Sequence, residues 1–171
     1  LSGVAVGLSG NIYAVEEYGC RLLILDENGG PITAIGEAGI AGDDNLHFNS
    51  PNGVAVSPLG EIYVADTGNN RIQIFSSNGY YLRTKGSFGI EADEFSMPYA
   101  VAFGANKIFV ADTGNSRVQV FDSNFNYLNS ITGFQTPRDI AVGLSGNIYV
   151  LDLDYQAILV YDQNYNLIRT I

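Results

Sequence analysis

The sequence predicts an all-β fold assembled from four copies of one small antiparallel sheet, and three observations carry that reading. The first is duplication. EIYVADTGNNRIQIF at residues 61–75 returns as KIFVADTGNSRVQVF at 107–121, with looser copies NIYAVEEYGCRLLIL at 11–25 and NIYVLDLDYQAILVY at 147–161. A period of roughly 20–50 residues is the mark of a stacked repeat architecture. The second is local chemistry: the apolar runs are short, rich in Val, Ile, Tyr and Phe, and divided by Gly, Asn, Asp and Ser clusters, the pattern of strands joined by tight turns. The third is number, since every copy holds four such runs.

Taken in order, each unit opens on an apolar triplet, Val4-Ala5-Val6, Val54-Ala55-Val56, Val101-Ala102-Phe103 or Ile140-Ala141-Val142. A Phe-x-x-Pro step precedes three of them, Phe48 to Pro51, Phe95 to Pro98 and Phe134 to Pro137, and Leu1 stands where the others have proline. The duplicated stretch supplies the second and third runs. After it comes a turn holding Asn28, Asn78, Asn124 or Asn164, then a last run around Ile32, Leu82, Leu128 or Ile168. The units are therefore 1–36, 51–86, 98–133 and 137–171, together forming a single domain with spacers of unequal length. In the second unit the strands fall at 53–57, 61–66, 71–75 and 80–85. Links as short as these enforce consecutive antiparallel pairing, a four-stranded meander.

In the second strand of that unit both alternating sets are apolar, Ile62 with Val64 and Tyr63 with Ala65. Both faces of the sheet therefore need cover, which stacking against like sheets provides. The last strand mixes in Arg83, Thr84 and Lys85, the chemistry that blunts an exposed edge. The first carries a small residue, Ala5, Ala55, Ala102 or Ala141, between larger neighbours, as crowding at an inner end requires. With first strands innermost and last strands outermost, the sheets become blades around an axis, a β-propeller.

The unit F-x-x-P-x-G-V-A-V-x-x-x-G-x-I-Y-V-A-D-T-G-N-N-R-I-Q-I-F, matched best by residues 48–75, resembles the NHL repeat. Residues 95–121 depart modestly, with Tyr99-Ala100 in the glycine region. The outer units depart further. Glu16-Glu17-Tyr18-Gly19-Cys20 stands at the first corner, and Asp152-Leu153-Asp154-Tyr155-Gln156 at the fourth, with Ala157 in place of arginine. The resemblance implies a ring of about six blades, of which four units are a segment, and an extracytoplasmic setting that no residue here fixes. An open arc leaves two blade faces uncovered. If each exposed roughly 400 Å² of apolar surface, the loss would be about 10 kcal/mol per face, comparable to the stability of a whole domain. Burial against further blades of a larger ring is the leading expectation, with homo-oligomerisation through the open faces next and a tightened four-bladed ring as the remaining way to close.

Composition narrows the function. One cysteine, Cys20, and one histidine, His47, exclude an intramolecular disulfide and a Cys/His zinc cage within the chain. The formal charge of −10, from 18 acidic and 8 basic residues, repels a phosphate backbone, so nucleic acid is not an expected partner. No apolar run is long enough for a membrane span.

The Asp-Thr-Gly-Asn-Asn-Arg segment reads as a blade corner. Asp66 with Arg71, and Asp112 with Arg117, lie close enough across the turn for charge-assisted hydrogen bonds, and Gly68 and Gly114 are expected to supply positive φ. In a meander this turn and the spacer to the next unit leave the sheet at the same end. Twelve of the eighteen acidic residues fall there, which predicts a negative face suited to a basic protein, a cationic ligand or a metal ion. The most divergent corner residues, Glu17, Tyr18, Asp154 and Tyr155, are candidates to contact a partner, together with Asn69, Asn70 and Asn115. Tyrosine beside carboxylate suits a protein partner first and carbohydrate second.

Catalysis finds less support. Some propellers that resemble this one are metal-dependent lactonases or lyases with His, Asp, Glu and Asn ligands around the channel. His47, in GDDNLHF, reads as a loop residue, and no nucleophile elbow or Ser-His-Asp set is visible. Asp43 and Asp44 come nearest to a calcium pair but lack the alternating spacing of a calcium loop. The sequence therefore predicts a non-catalytic scaffold without cofactor. The alternative is a segment of an enzyme whose catalytic groups lie partly outside it.

Overall fold

A computed structural model describes all of residues 1–171. Sixteen strands form four separate four-stranded sheets. The first sheet comprises β1 (Gly3–Val6), β2 (Ile12–Glu16), β3 (Arg21–Leu25) and β4 (Pro31–Ile35), and the second β5 (Pro51–Val56), β6 (Ile62–Asp66), β7 (Arg71–Phe75) and β8 (Tyr81–Lys85). The third comprises β9 (Pro98–Gly104), β10 (Lys107–Asp112), β11 (Arg117–Asp122) and β12 (Tyr127–Ile131), and the fourth β13 (Pro137–Val142), β14 (Ile148–Asp152), β15 (Ala157–Tyr161) and β16 (Leu167–Thr170). Every neighbouring pair within a sheet is antiparallel and sequential. The architecture is a partial β-propeller.

Three apolar cores lie between successive sheets. Tyr13, Val15, Leu22 and Ile24 pack on Val54, Ile62, Val64 and Phe75. Tyr63, Ala65, Ile72 and Ile74 pack on Val101, Ile108, Val110 and Phe121, and Phe109, Ala111, Val118 and Val120 on Ile140, Ile148, Val150 and Leu159. Because side chains alternate across a strand, one set serves each neighbour. That is why every residue of β6 is buried.

The first strands do sit innermost: β1 packs on β5, β5 on β9 and β9 on β13, with no comparable packing from β13 back to β1. Close approach of these strands explains two glycines. A Cβ on Gly3 would lie 2.5 Å from the Asn52 carbonyl oxygen, and one on Gly53 2.6 Å from that of Tyr99. The pairing of β5, β9 and β13 with their second strands slips near the starting proline, a β-bulge at the same end of each sheet.

Candidate functional site

The bulged ends of the inner strands and the corners between second and third strands share one face. The two inner corners are built alike. Asp66 is fully buried; its Oδ2 accepts from Arg71 Nε at 2.7 Å, Asn69 Nδ2 at 2.9 Å and Gln73 Nε2 at 3.2 Å, while Oδ1 accepts from the Asn49 backbone N–H at 2.7 Å. Asp112 repeats the set with Arg117 Nε at 2.7 Å, Asn115 Nδ2 at 2.9 Å, Gln119 Nε2 at 3.1 Å and the Ser96 N–H at 2.7 Å. Burial pushes the Asp66 carboxyl upward, while these donors pull against it.

Each arginine also reaches outward. Arg71 donates to the carbonyls of Asp43 and Asp44, both at 2.6 Å, and Gln73 to that of His47 at 2.7 Å. Arg117 donates to Glu91 O at 2.8 Å and Glu94 O at 3.0 Å. The corner therefore clamps the preceding spacer to its sheet. It also joins neighbouring sheets, since Thr67 Oγ1 donates to Pro98 O at 2.7 Å and Thr113 Oγ1 to Pro137 O at 2.5 Å.

Here the structure corrects the reading of the turn. Gly68 and Gly114 do not have positive φ; Asn70 at 55° and Ser116 at 52° carry the left-handed position, as do Cys20 at 51° and Gln156 at 51° in the outer corners. The glycines answer to space instead. A Cβ at Gly68 would approach Asn49 to 2.6 Å, and one at Gly114 would approach Ser96 to 2.4 Å.

The partner candidates separate into two groups. Asn69 Nδ2 is shared between Asp66 and the Gly42 carbonyl, Asn115 Nδ2 between Asp112 and the Gly89 carbonyl, and Asn70 Oδ1 accepts from the Met97 N–H. These amides are engaged within the fold. Tyr18, by contrast, is 89% exposed, and Tyr155 is exposed beside Asp154. They stand on the corners of the first and fourth sheets, at opposite ends of the arc.

The acidic face also changes. Asp66, Asp112 and Asp152 are fully buried, and Glu16 is paired with Arg21, so these four residues do not act as free surface charge. The Asp44 carboxylate is taken up by the Leu46 and His47 N–H groups and the His47 ring, which hold its pKa down. Asp43 contributes its carbonyl to Arg71, and no group of three His, Cys, Asp or Glu side chains converges anywhere in the chain.

One feature of this face escaped the sequence reading. The residues that follow the recurring proline position, Ser2, Asn52, Tyr99 and Arg138, line a central cleft of about 510 Å³ bounded by the four inner strands. The signal was present: four copies put four different side chains at one repeat position.

The NHL repeat model matches residues 48–75 and 95–121. Those two segments are NHL repeats. No curated protein sequence matches it significantly. Among solved structures, the chain superposes on a streptogramin B lyase with a TM-score of 0.74 at 16% identity, covering 98% of this chain and 53% of that one. It is similar to Kuenenia stuttgartiensis hydrazine synthase, at 0.76 and 12%, covering 99% and 48%. A chain of a nidogen/laminin complex gives 0.64 and 17%, covering 99% and 78%. The chain thus spans about half the length of the first two, and what it shares with all three is the fold.

Proposed function

We propose that this NHL arc is a non-catalytic binding platform whose variable loop face receives a protein partner. The observation that supports it is the division of labour on that face. Two inner corners repeat one hydrogen-bond set and clamp the spacers 37–50 and 87–97, so that divergent loops are held on a common frame. Side chains held in place before contact lose less entropy on binding. Exposed Tyr18 beside Glu17, and Tyr155 beside Asp154, provide amphipathic anchors flanked by charge, the composition that suits a protein surface.

A second reading, a segment of a propeller enzyme, is favoured by the likeness to a lyase and a synthase, each of them about twice as long as this chain. It needs catalytic groups from outside residues 1–171. The two readings part on one experiment. Partner capture is run with the wild type and with the variant Glu17→Ala, Tyr18→Ala, Asp154→Ala, Tyr155→Ala, with thermal melting followed in parallel. Loss of the captured protein at an unchanged melting temperature supports the platform; undiminished capture removes these residues from the interface.

A further inference from the structure

The inner strands hold a second constellation, independent of the corner tyrosines. Four of the six arginines, at positions 21, 71, 83 and 117, are paired with carboxylates. Arg138 is not. In a chain with 18 acidic residues, its guanidinium carbon instead lies 4.0 Å from the centroid of the Tyr99 ring, and its Nε is buried with no hydrogen-bond partner.

The backbone explains how the pair is aimed. Tyr99 falls between Pro98, which pairs with Asp112, and Ala100, which pairs with Ala111. Arg138 falls between Pro137, paired with Asp152, and Asp139, paired with Leu151. Both occupy the unpaired place of a bulge, a device that redirects a side chain away from the alternation of the strand. Both line the central cleft.

Stacking engages the face of a guanidinium, and with Nε buried the terminal Nη1/Nη2 edge is the one left available, an edge that can meet a carboxylate with two parallel hydrogen bonds. The adjacent Asp139 does not fill that role; its Oδ1 accepts from the Ile140 N–H at 2.9 Å. Asn52, also on the cleft, is 4% exposed and commits its amide N–H groups to Ser50 O at 3.0 Å and Thr67 Oγ1 at 3.1 Å. Its carbonyl oxygen is left as an acceptor. We infer that the cleft is a carboxylate-binding site in which Arg138, held flat by Tyr99, takes the carboxylate, and Asn52 accepts from a donor on the same ligand. The class is a small organic carboxylate or the free carboxyl terminus of a peptide.

The test uses the whole chain and three probes: propionate, N-acetyl-glycyl-glycine and N-acetyl-glycyl-glycinamide. The Arg138 Nε–H and Tyr99 ring resonances are followed by NMR through each titration. Saturable shifts with the two carboxylates and none with the amide are expected. Tighter binding of the dipeptide assigns the site to peptide ends, and equal binding assigns it to small acids. Arg138→Gln abolishes the shifts of the Tyr99 ring, and Arg138→Lys, which keeps charge but not the fork, weakens binding about tenfold. Equal binding of the amide, or no saturable shift with any probe in the wild type, overturns the assignment whatever the variants do. Neither result bears on the corner tyrosines, whose capture experiment leaves the cleft unchanged.

Discussion

The second and fourth sheets are built on the same four-strand repeat and live in different surroundings. Ile72 on β7 is fully buried, while Ile158, its counterpart on β15, is 37% exposed. Ala65 on β6 is fully buried; Leu151, its counterpart on β14, is 42% exposed. Counterparts of the first-sheet residues that pack on the second sheet, such as Tyr13, Val15 and Leu22, recur on the fourth sheet as Tyr149, Leu151 and Ile158, with no sheet beyond them. On the opposite end, Val4 and Val6 are 67% and 66% exposed where their counterparts Val54 and Val56 pack against the first sheet. The two open faces are the two halves of one repeated interface. Strand hydrophobicity in a repeat is therefore written for a neighbour, and burial depends on whether that neighbour is there.

That comparison breaks if equivalent deletions cost the same in both places. Ile72→Ala removes packed atoms between the second and third sheets and should cost about 4 kcal/mol, counting the cavity left behind. Ile158→Ala removes atoms already in contact with water, and a loss below about 1 kcal/mol is expected. Urea denaturation midpoints at constant slope measure both. A large loss at Ile158 would mean that the fourth sheet is covered in solution.

A somewhat smaller effect separates the corners. Arg71→Ala leaves the Asp66 carboxylate fully buried without its counter-charge, a change worth about 3 kcal/mol, and releases the carbonyls of Asp43 and Asp44. Hydrogen exchange should therefore quicken across residues 43–47 together with the loss of stability. If only one of the two responds, the arginine serves the carboxylate or the spacer, not both.

How much of this was legible follows from what repeats. Four sheets, their order and the innermost place of the first strands were readable because the same chemistry recurs wherever the same contact is made. The Phe-x-x-Pro step located the end of each spacer, and the alternation in 61–66 announced a sheet covered on both faces. What stayed hidden depends on geometry between units. Gly68 looked like a turn glycine, yet its constraint is the distance to Asn49, a residue in the spacer. Asp66, Asp112 and Asp152 counted as surface charge because a corner aspartate looks the same in sequence whether it faces water or the sheet. Tyr99 and Arg138 met only because two bulges on neighbouring inner strands point the same way, and a one-residue slip in pairing leaves no mark on composition.

The smallest expected effect sharpens the comparison at the fourth corner. Asp152 is as buried as Asp66 and Asp112 but has no arginine, because Ala157 occupies the place that pairs with it in register, as Arg71 does with Asp66. Its oxygens are held by backbone donors instead, the Gln135 N–H at 2.7 Å and the Thr136 and Tyr155 N–H groups at 3.2 Å. Ala157→Arg restores the partner without restoring a long spacer to clamp, so the gain should be about 1 kcal/mol, that of one charge-assisted hydrogen bond set against the desolvation it requires. A higher urea midpoint would show that the inner corners draw stability from the ion pair itself. No gain would show that backbone N–H groups suffice for the carboxylate, and that Arg71 and Arg117 are retained for the loops they hold.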